Sequence, residues 1–264
     1  MYDNICKFLA ENYPSDIASW LLGEAIPLTQ LSPTELSVEP IRADSLILLQ
    51  SANLVLHAEF QTQPDAEMAF RMADYRLRVY RRFPQKAMRQ VVVYLKPTGS
   101  ELVYQDTFSL ERLQHSFEII RLWEQPTELF LDTPGLLPFA VLSRGEATTD
   151  ILQQVADRIE RIGDRRTQNN LAASTSVLAG LVLEKEVIQR LLRSEIMRES
   201  VIYQEIKREG VEEGIQQGIE RGIEQVALNM LRGGMTISQV ANFTNLSVAT
   251  LERLQQQINS ENEE

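Results

Sequence analysis

The sequence predicts an α/β domain followed by a helical C-terminal extension. Three observations carry this. Two apolar runs, Arg42–Leu49 and Leu54–Gln61, flank the turn-forming Gln50-Ser51-Ala52-Asn53, the pattern of a hairpin. A helical pattern opens at Pro64-Asp65 and ends before Pro84, which disfavours helix at the residue preceding it. Arg89–Leu95, with three consecutive valines, then reads as a buried strand. Strand, strand, helix, strand is a compact core, and from Pro126 to about Arg208 the pattern turns helical.

In chain order, residues 2–22 read as helix interrupted near Pro14, and Leu31–Pro40 as a connection with one short strand. Both faces of the hairpin are apolar away from its carboxylate end, so a layer should cover each side. In the following helix Asp65 suits the N-cap and Glu67 the positive end of the macrodipole. Ala69, Met72, Val79, Tyr80 and Phe83 make its core stripe. Arg71, Tyr75, Arg78 and Arg82 recur at i, i+4, i+7 and i+11 on another face. Phe117–Trp123 reads as a further strand. The expected divisions are a core over 1–125, a helical extension over 126–208, a connector over 209–224 and a small helical module over 225–264.

The connector carries Gly210, Gly214, Gly218 and Gly222, one every fourth residue. Each glycine costs a helix about 1 kcal/mol relative to alanine, so the repeat wants a reason. It reads either as close helix–helix packing, including self-association of the chain through its C-terminal helices, or as a frayed connector. Beyond it, Ala227–Arg232, Ser238–Phe243 and Val248–Ile258 read as three short helices. The phrase from Ile237 to Ser247 resembles a helix-turn-helix, with Asn245 able to take the left-handed turn conformation. Its charge does not support DNA reading: from Gln225 onward only Arg232 and Arg253 stand against Glu252, Glu261, Glu263 and Glu264. An interaction module is favoured.

Composition excludes several classes. A chain of 264 residues with a net charge of −11 is not basic all over. Residues 65–89, however, hold seven basic side chains against three acidic, so this stretch carries +4 and the remainder −15. A local basic patch on an acidic protein suits nucleic acid while limiting non-specific binding. One cysteine, Cys6, excludes an internal disulfide framework and suits a reducing compartment; it reads as a small core residue. The N-terminus lacks a basic and apolar leader pattern. The best apolar run, Leu171–Leu183, is short and broken by Ser174, Thr175 and Ser176, so a cytoplasmic protein without a membrane partner is expected.

The candidate site is the carboxylate end of the hairpin. With Ser51-Ala52 as the loop, Gln50 faces Asn53 and Asp44 falls opposite Glu59, their Cβ atoms roughly 5 Å apart. Gln61, two residues on, shares that face. Carboxylates placed so close repel unless a cation sits between them, and an all-oxygen set suits Mg²⁺ or Mn²⁺. The bland alternative is a pair of surface carboxylates in a register that slips by a residue. His57 and His115 have no ligand spacing and read as structural. Tyr75 reads either as a ring that stacks on a base or as a half-buried aromatic.

The runs Pro33-Thr-Glu-Leu, Pro40-Ile-Arg-Ala-Asp44-Ser, His57-Ala-Glu59-Phe-Gln61-Thr and Phe70-Arg-Met-Ala-Asp-Tyr75-Arg resemble the recombination-promoting nuclease family, a group also described as transposases and similar to the PD-(D/E)XK nucleases. The resemblance covers about residues 30–125. It implies a restriction-endonuclease-like core, with a mixed sheet flanked by helices. It implies Mg²⁺ or Mn²⁺ held by Asp44 and Glu59, DNA as partner, phosphodiester hydrolysis as the reaction and a link to recombination. Gln61 stands where the superfamily has a lysine; an amide orients water but carries no charge. Arg71, Tyr75, Arg78 and Arg82 would then meet the DNA backbone. Glu24, Glu35 and Glu39 are candidates for a further acid that the sequence does not separate.

Overall fold

A computed structural model describes residues 2–31, 46–145, 148–192 and 200–261. Two compact units divide it, one ending at Gln204 and one spanning Glu205–Glu264. The first is α/β. It opens with α1 (Tyr2–Asn12) and α2 (Pro14–Leu22), where Pro14 falls at a helix start that needs no backbone N–H. The strands β1 (Thr29–Gln30), β2 (Leu46–Gln50) and β3 (Leu54–Gln61) follow, then α3 (Met68–Arg82) and β4 (Ala87–Tyr94). β5 (Thr107–Leu110) and β6 (Leu113–Ser116) form a separate hairpin, and β7 (Glu118–Arg121) closes the main sheet. The helices α4 (Glu128–Leu131), α5 (Leu137–Ala140), α6 (Thr148–Glu160), α7 (Arg165–Ala179) and α8 (Lys185–Leu191) complete the unit.

The main sheet runs β1-β2-β3-β4-β7. β1, β2 and β3 are antiparallel in turn, whereas β3, β4 and β7 are parallel. The sheet is therefore mixed, and α3 is the crossover that parallel pairing of β3 and β4 requires. One face packs under α3, where Met68, Ala69, Met72, Val92 and Tyr94 form one cluster and Leu31, Leu48, Val55, Tyr75 and Val79 another. On the other face α1 packs against β2 and β3, and Phe60 stacks on Phe139 of α5 with ring centroids 5.7 Å apart. Trp20 of α2 meets both Phe130 and Phe139. Burial on both faces is why β3 and β4 are nearly continuous apolar runs.

The hairpin register differs from the expectation. Ser51 donates its N–H to Leu54 O, so the apex is Ala52-Asn53, where the side chain of Asn53 suits a turn. Moving a two-residue loop by one position moves every cross-strand partner by two. Glu59 therefore faces Leu46, not Asp44. A two-residue shift preserves parity, so the face assignment of β3 survives while the partner does not. Asp44, Glu35 and Glu39 lie outside the described residues.

The stripe of α3 also differs. Met68, Met72, Tyr75 and Val79 are buried at i, i+4, i+7 and i+11, whereas Tyr80 is 58% exposed. Val79 already fills the core-facing position, and the next residue turns about 100° away from it.

The apolar run around Leu171 is the buried helix α7, whose N-terminus is capped by Asp164 accepting from Thr167 N–H at 2.7 Å. Among the described residues no helix is long and apolar enough to cross a membrane.

In the second unit the Gly repeat is helical. It lies within one helix, α9 (Val201–Arg232), so the separate helix expected over 227–232 is the end of this longer one. The Glu, Gln and Arg residues between the glycines are good helix formers and carry it through. An added Cβ at Gly218 or Gly222 would meet nothing within 4 Å, so no described part of the chain packs closely there. Gly233-Gly234 ends α9, with Gly234 at φ 86°. α10 (Ile237–Thr244) starts in a reciprocal cap between Thr236 and Gln239, and Asn245 takes φ 57° before α11 (Val248–Glu261). Ala227, Leu231, Val240, Leu251 and Leu254 are its core.

Candidate functional site

Strand alternation puts His57, Glu59 and Gln61 on the α3 side of β3. His57 and Glu59 are completely buried. A buried carboxylate is costly unless paired, and this one is heavily partnered. Arg71 Nη2 of α3 donates to Glu59 Oε2 at 2.8 Å, and Gln61 Nε2 donates to the same oxygen at 3.2 Å. His57 Nε2 faces Glu59 Oε1 at 3.4 Å. The guanidinium of Arg71 also donates from Nη1 to Asp65 Oδ2 at 3.0 Å. Two carboxylates thus converge on one cation position, which the guanidinium fills. Burial works against the Arg71 charge, but the Glu59 charge and the Asp65 hydrogen bond outweigh it and hold its pKa above the ordinary value.

Asp65 serves twice. Its other oxygen accepts from Glu67 N–H at 2.9 Å, ordering the turn that starts α3. Gln90, opposite His57 in the parallel register, fixes the imidazole. Its side-chain nitrogen donates to Met72 O at 2.8 Å and lies 3.0 Å from His57 Nδ1. A carbonyl only accepts, so the amide orientation is determined; Nδ1 must accept, and the ring proton sits on Nε2, toward Glu59. The result is a row from Gln90 through His57 and Glu59 to Arg71 and Asp65.

Tyr75 is only 6% exposed, with its ring edge-on to His57 at 4.9 Å between centroids. It belongs to the core and cannot receive a base without unpacking α3. Burial, and then the Glu59 charge, push its hydroxyl pKa up to about 12. Arg78 is half-buried and paired with Asp74 at 2.8 Å, and Arg82 is exposed beside the Phe83 ring. The expected face of four contacts therefore separates into a clamp on Glu59, a core ring, a paired arginine and one exposed cation. Glu24 is exposed just past α2. Cys6 is buried in the apolar face of α1, as a small core residue should be.

At the carboxyl ends of β3 and β4 lies a cavity of about 440 Å³ lined by Thr62, Gln63, Lys96 and Thr98, with Tyr2 and Gly180 across from them. Thr62 follows Gln61 directly, and Leu95 N–H donates to Gln61 O at 2.8 Å. In open α/β sheets this end is where ligands bind. Sequence reasoning missed Asp65 as a partner of Arg71, and it missed Lys96 because nothing in the sequence shows that the ends of β3 and β4 adjoin.

Among the described residues no cluster of three or more His, Cys, Asp or Glu side chains is placed to hold a metal ion. Glu59 and Asp65 nonetheless set two carboxylate oxygens around a position already occupied by positive charge. Compared with known protein families, with curated proteins and with solved structures, the chain matches none.

Proposed function

We propose that the chain is a metal-dependent nuclease with a restriction-endonuclease-like core, related to the recombination-promoting nucleases. The observation that carries this reading is the fully buried Glu59 at the end of β3, sharing one cation position with Asp65. The mixed sheet with a β3–α3–β4 crossover agrees with the fold that the resemblance implies. Glu59 and Asp44 are the proposed metal ligands, with Asp65 and Gln61 as further oxygen donors, and oxygen donors fit Mg²⁺ or Mn²⁺. When bound, such an ion supplies an acidified water and neutralises charge on the scissile phosphate. The chain's own residues do the rest. The His57 ring lies against Glu59 with Nε2 3.4 Å from Oε1, Gln61 holds a water by its amide, and Arg71 balances the carboxylates when no metal is present. Lys96, Arg82 and Arg78, the last exchanging Asp74 for a phosphate, offer positive charge to a phosphate backbone.

The Arg71–Glu59 ion pair favours a second reading, a DNA- or protein-binding module on the same frame without turnover, because it leaves the carboxylate satisfied without metal. DNA binding is common to the nuclease and the DNA-binding form of the second reading. In a gel-shift titration with Ca²⁺ at several salt concentrations, Arg78→Ala with Arg82→Ala should weaken binding to every sequence alike. The slope of log K against log salt should flatten by about one unit per lost phosphate contact. An unchanged slope and affinity would remove α3 from the interface.

A further inference from the structure

A second cavity, of about 360 Å³, lies at the other end of β4, between α3, the first residues of β4 and the β6–β7 segment. Arg76, Gln90, His115, Met88 and Phe117 line it, together with the ion-paired Arg89 and Glu118. Two of the lining residues each carry a buried polar atom with no hydrogen-bond partner, Arg76 Nη1 and His115 Nε2. A buried donor left unmade costs about 1–3 kcal/mol, and more when charged, so each of these neighbouring side chains calls for a partner. Arg76 makes no ion pair among the described residues, and Arg89 already has Glu118. The one acid of the cavity is thereby neutralised and the net charge offered to a ligand is positive.

We propose that this cavity binds a small phosphate monoester of mononucleotide size, its phosphate held by Arg76 and His115. A guanidinium fork matches phosphate oxygens, and a phosphate has acceptors to spare for the imidazole. A cation is excluded by Arg76. The other wall suits an organic body: Met88 and Phe117 are apolar, and the His115 ring lies over Phe117 at 6.4 Å between centroids. The volume falls at the low end of small-ligand sites, which matches a mononucleotide. Burial, and then the charge of Arg76, lower the His115 pKa, and an incoming anion would oppose the second of these. Gln90, whose side chain fixes His57, also lines this cavity. The proposal does not depend on the nuclease reading.

Calorimetry on the full chain in chelator tests it, with adenosine 5′-monophosphate, inorganic phosphate and adenosine as separate probes. The monophosphate should bind saturably, one per chain, and adenosine at least about tenfold more weakly. Arg76→Gln and His115→Gln should each weaken the monophosphate by about tenfold or more, while Glu59→Gln leaves it unchanged, so loss of the catalytic proposal and loss of this one are distinguishable. Inorganic phosphate should displace the monophosphate. If Arg76→Gln does not fold, Arg76→Lys and the NMR shift of the His115 ring on adding ligand to wild type decide the matter. No saturable binding by wild type up to about 10 mM, equal affinity in the folded variants, or an unmoved His115 ring would overturn the proposal.

Discussion

Arg71→Ala is expected to lower stability by about 3 kcal/mol in chelator, because it withdraws a counter-charge from a carboxylate with no solvent exposure. The low end of the range for a broken buried pair applies, since Arg71 is itself partly exposed and Glu59 keeps other partners. A change of this size lowers the melting temperature by roughly 6–12 °C in a domain of this length. Mg²⁺ should then stabilise the variant more than wild type, because Glu59 and Asp65 are left facing one vacated cation position. Thermal melts of both proteins with and without Mg²⁺ check this. Equal melting temperatures in chelator would show that the ion pair does not hold the site together.

Phe60→Ala is expected to cost about 3–5 kcal/mol. Phe60 is fully buried and stacks on Phe139 at 17° between ring planes, which joins the sheet to α5. Deleting the ring leaves a cavity between two layers that cannot close without moving a strand bonded on both edges. Phe60→Leu, closer in volume, should cost about 1.5 kcal/mol or less. Urea denaturation of the two variants gives the comparison. Adjacent residues thus divide the work of β3: Glu59 points to the site and Phe60 to the core.

Much of this was legible in the sequence. Period-two alternation placed Glu59 and Gln61 on one face, and β3 spans the Leu54–Gln61 predicted. Asn245 was readable as a left-handed position because few other side chains accept one. The register was not, since neighbouring turns of similar residues, Ser51-Ala52 and Ala52-Asn53, differ by little in local energy while tertiary packing chooses between them. Tyr75 was placed beside the arginines, correctly by angle. What the angle does not show is that β2 and β3 roof that side of the helix, so an aromatic between two arginines becomes core. Likewise, Arg76 and His115 are 39 residues apart, and tertiary packing alone brings them to one cavity.

The most direct measurement is conversion of supercoiled plasmid by wild type and Glu59→Gln in Mg²⁺, in Mn²⁺ and in chelator. Wild type should relax or linearise the plasmid with either metal and not in chelator, and Glu59→Gln should lose about 100-fold or more of that rate while remaining folded. Metal-dependent cleavage that survives in Glu59→Gln, or wild type that binds DNA yet never cuts it with either ion, would contradict a nuclease centred on Glu59.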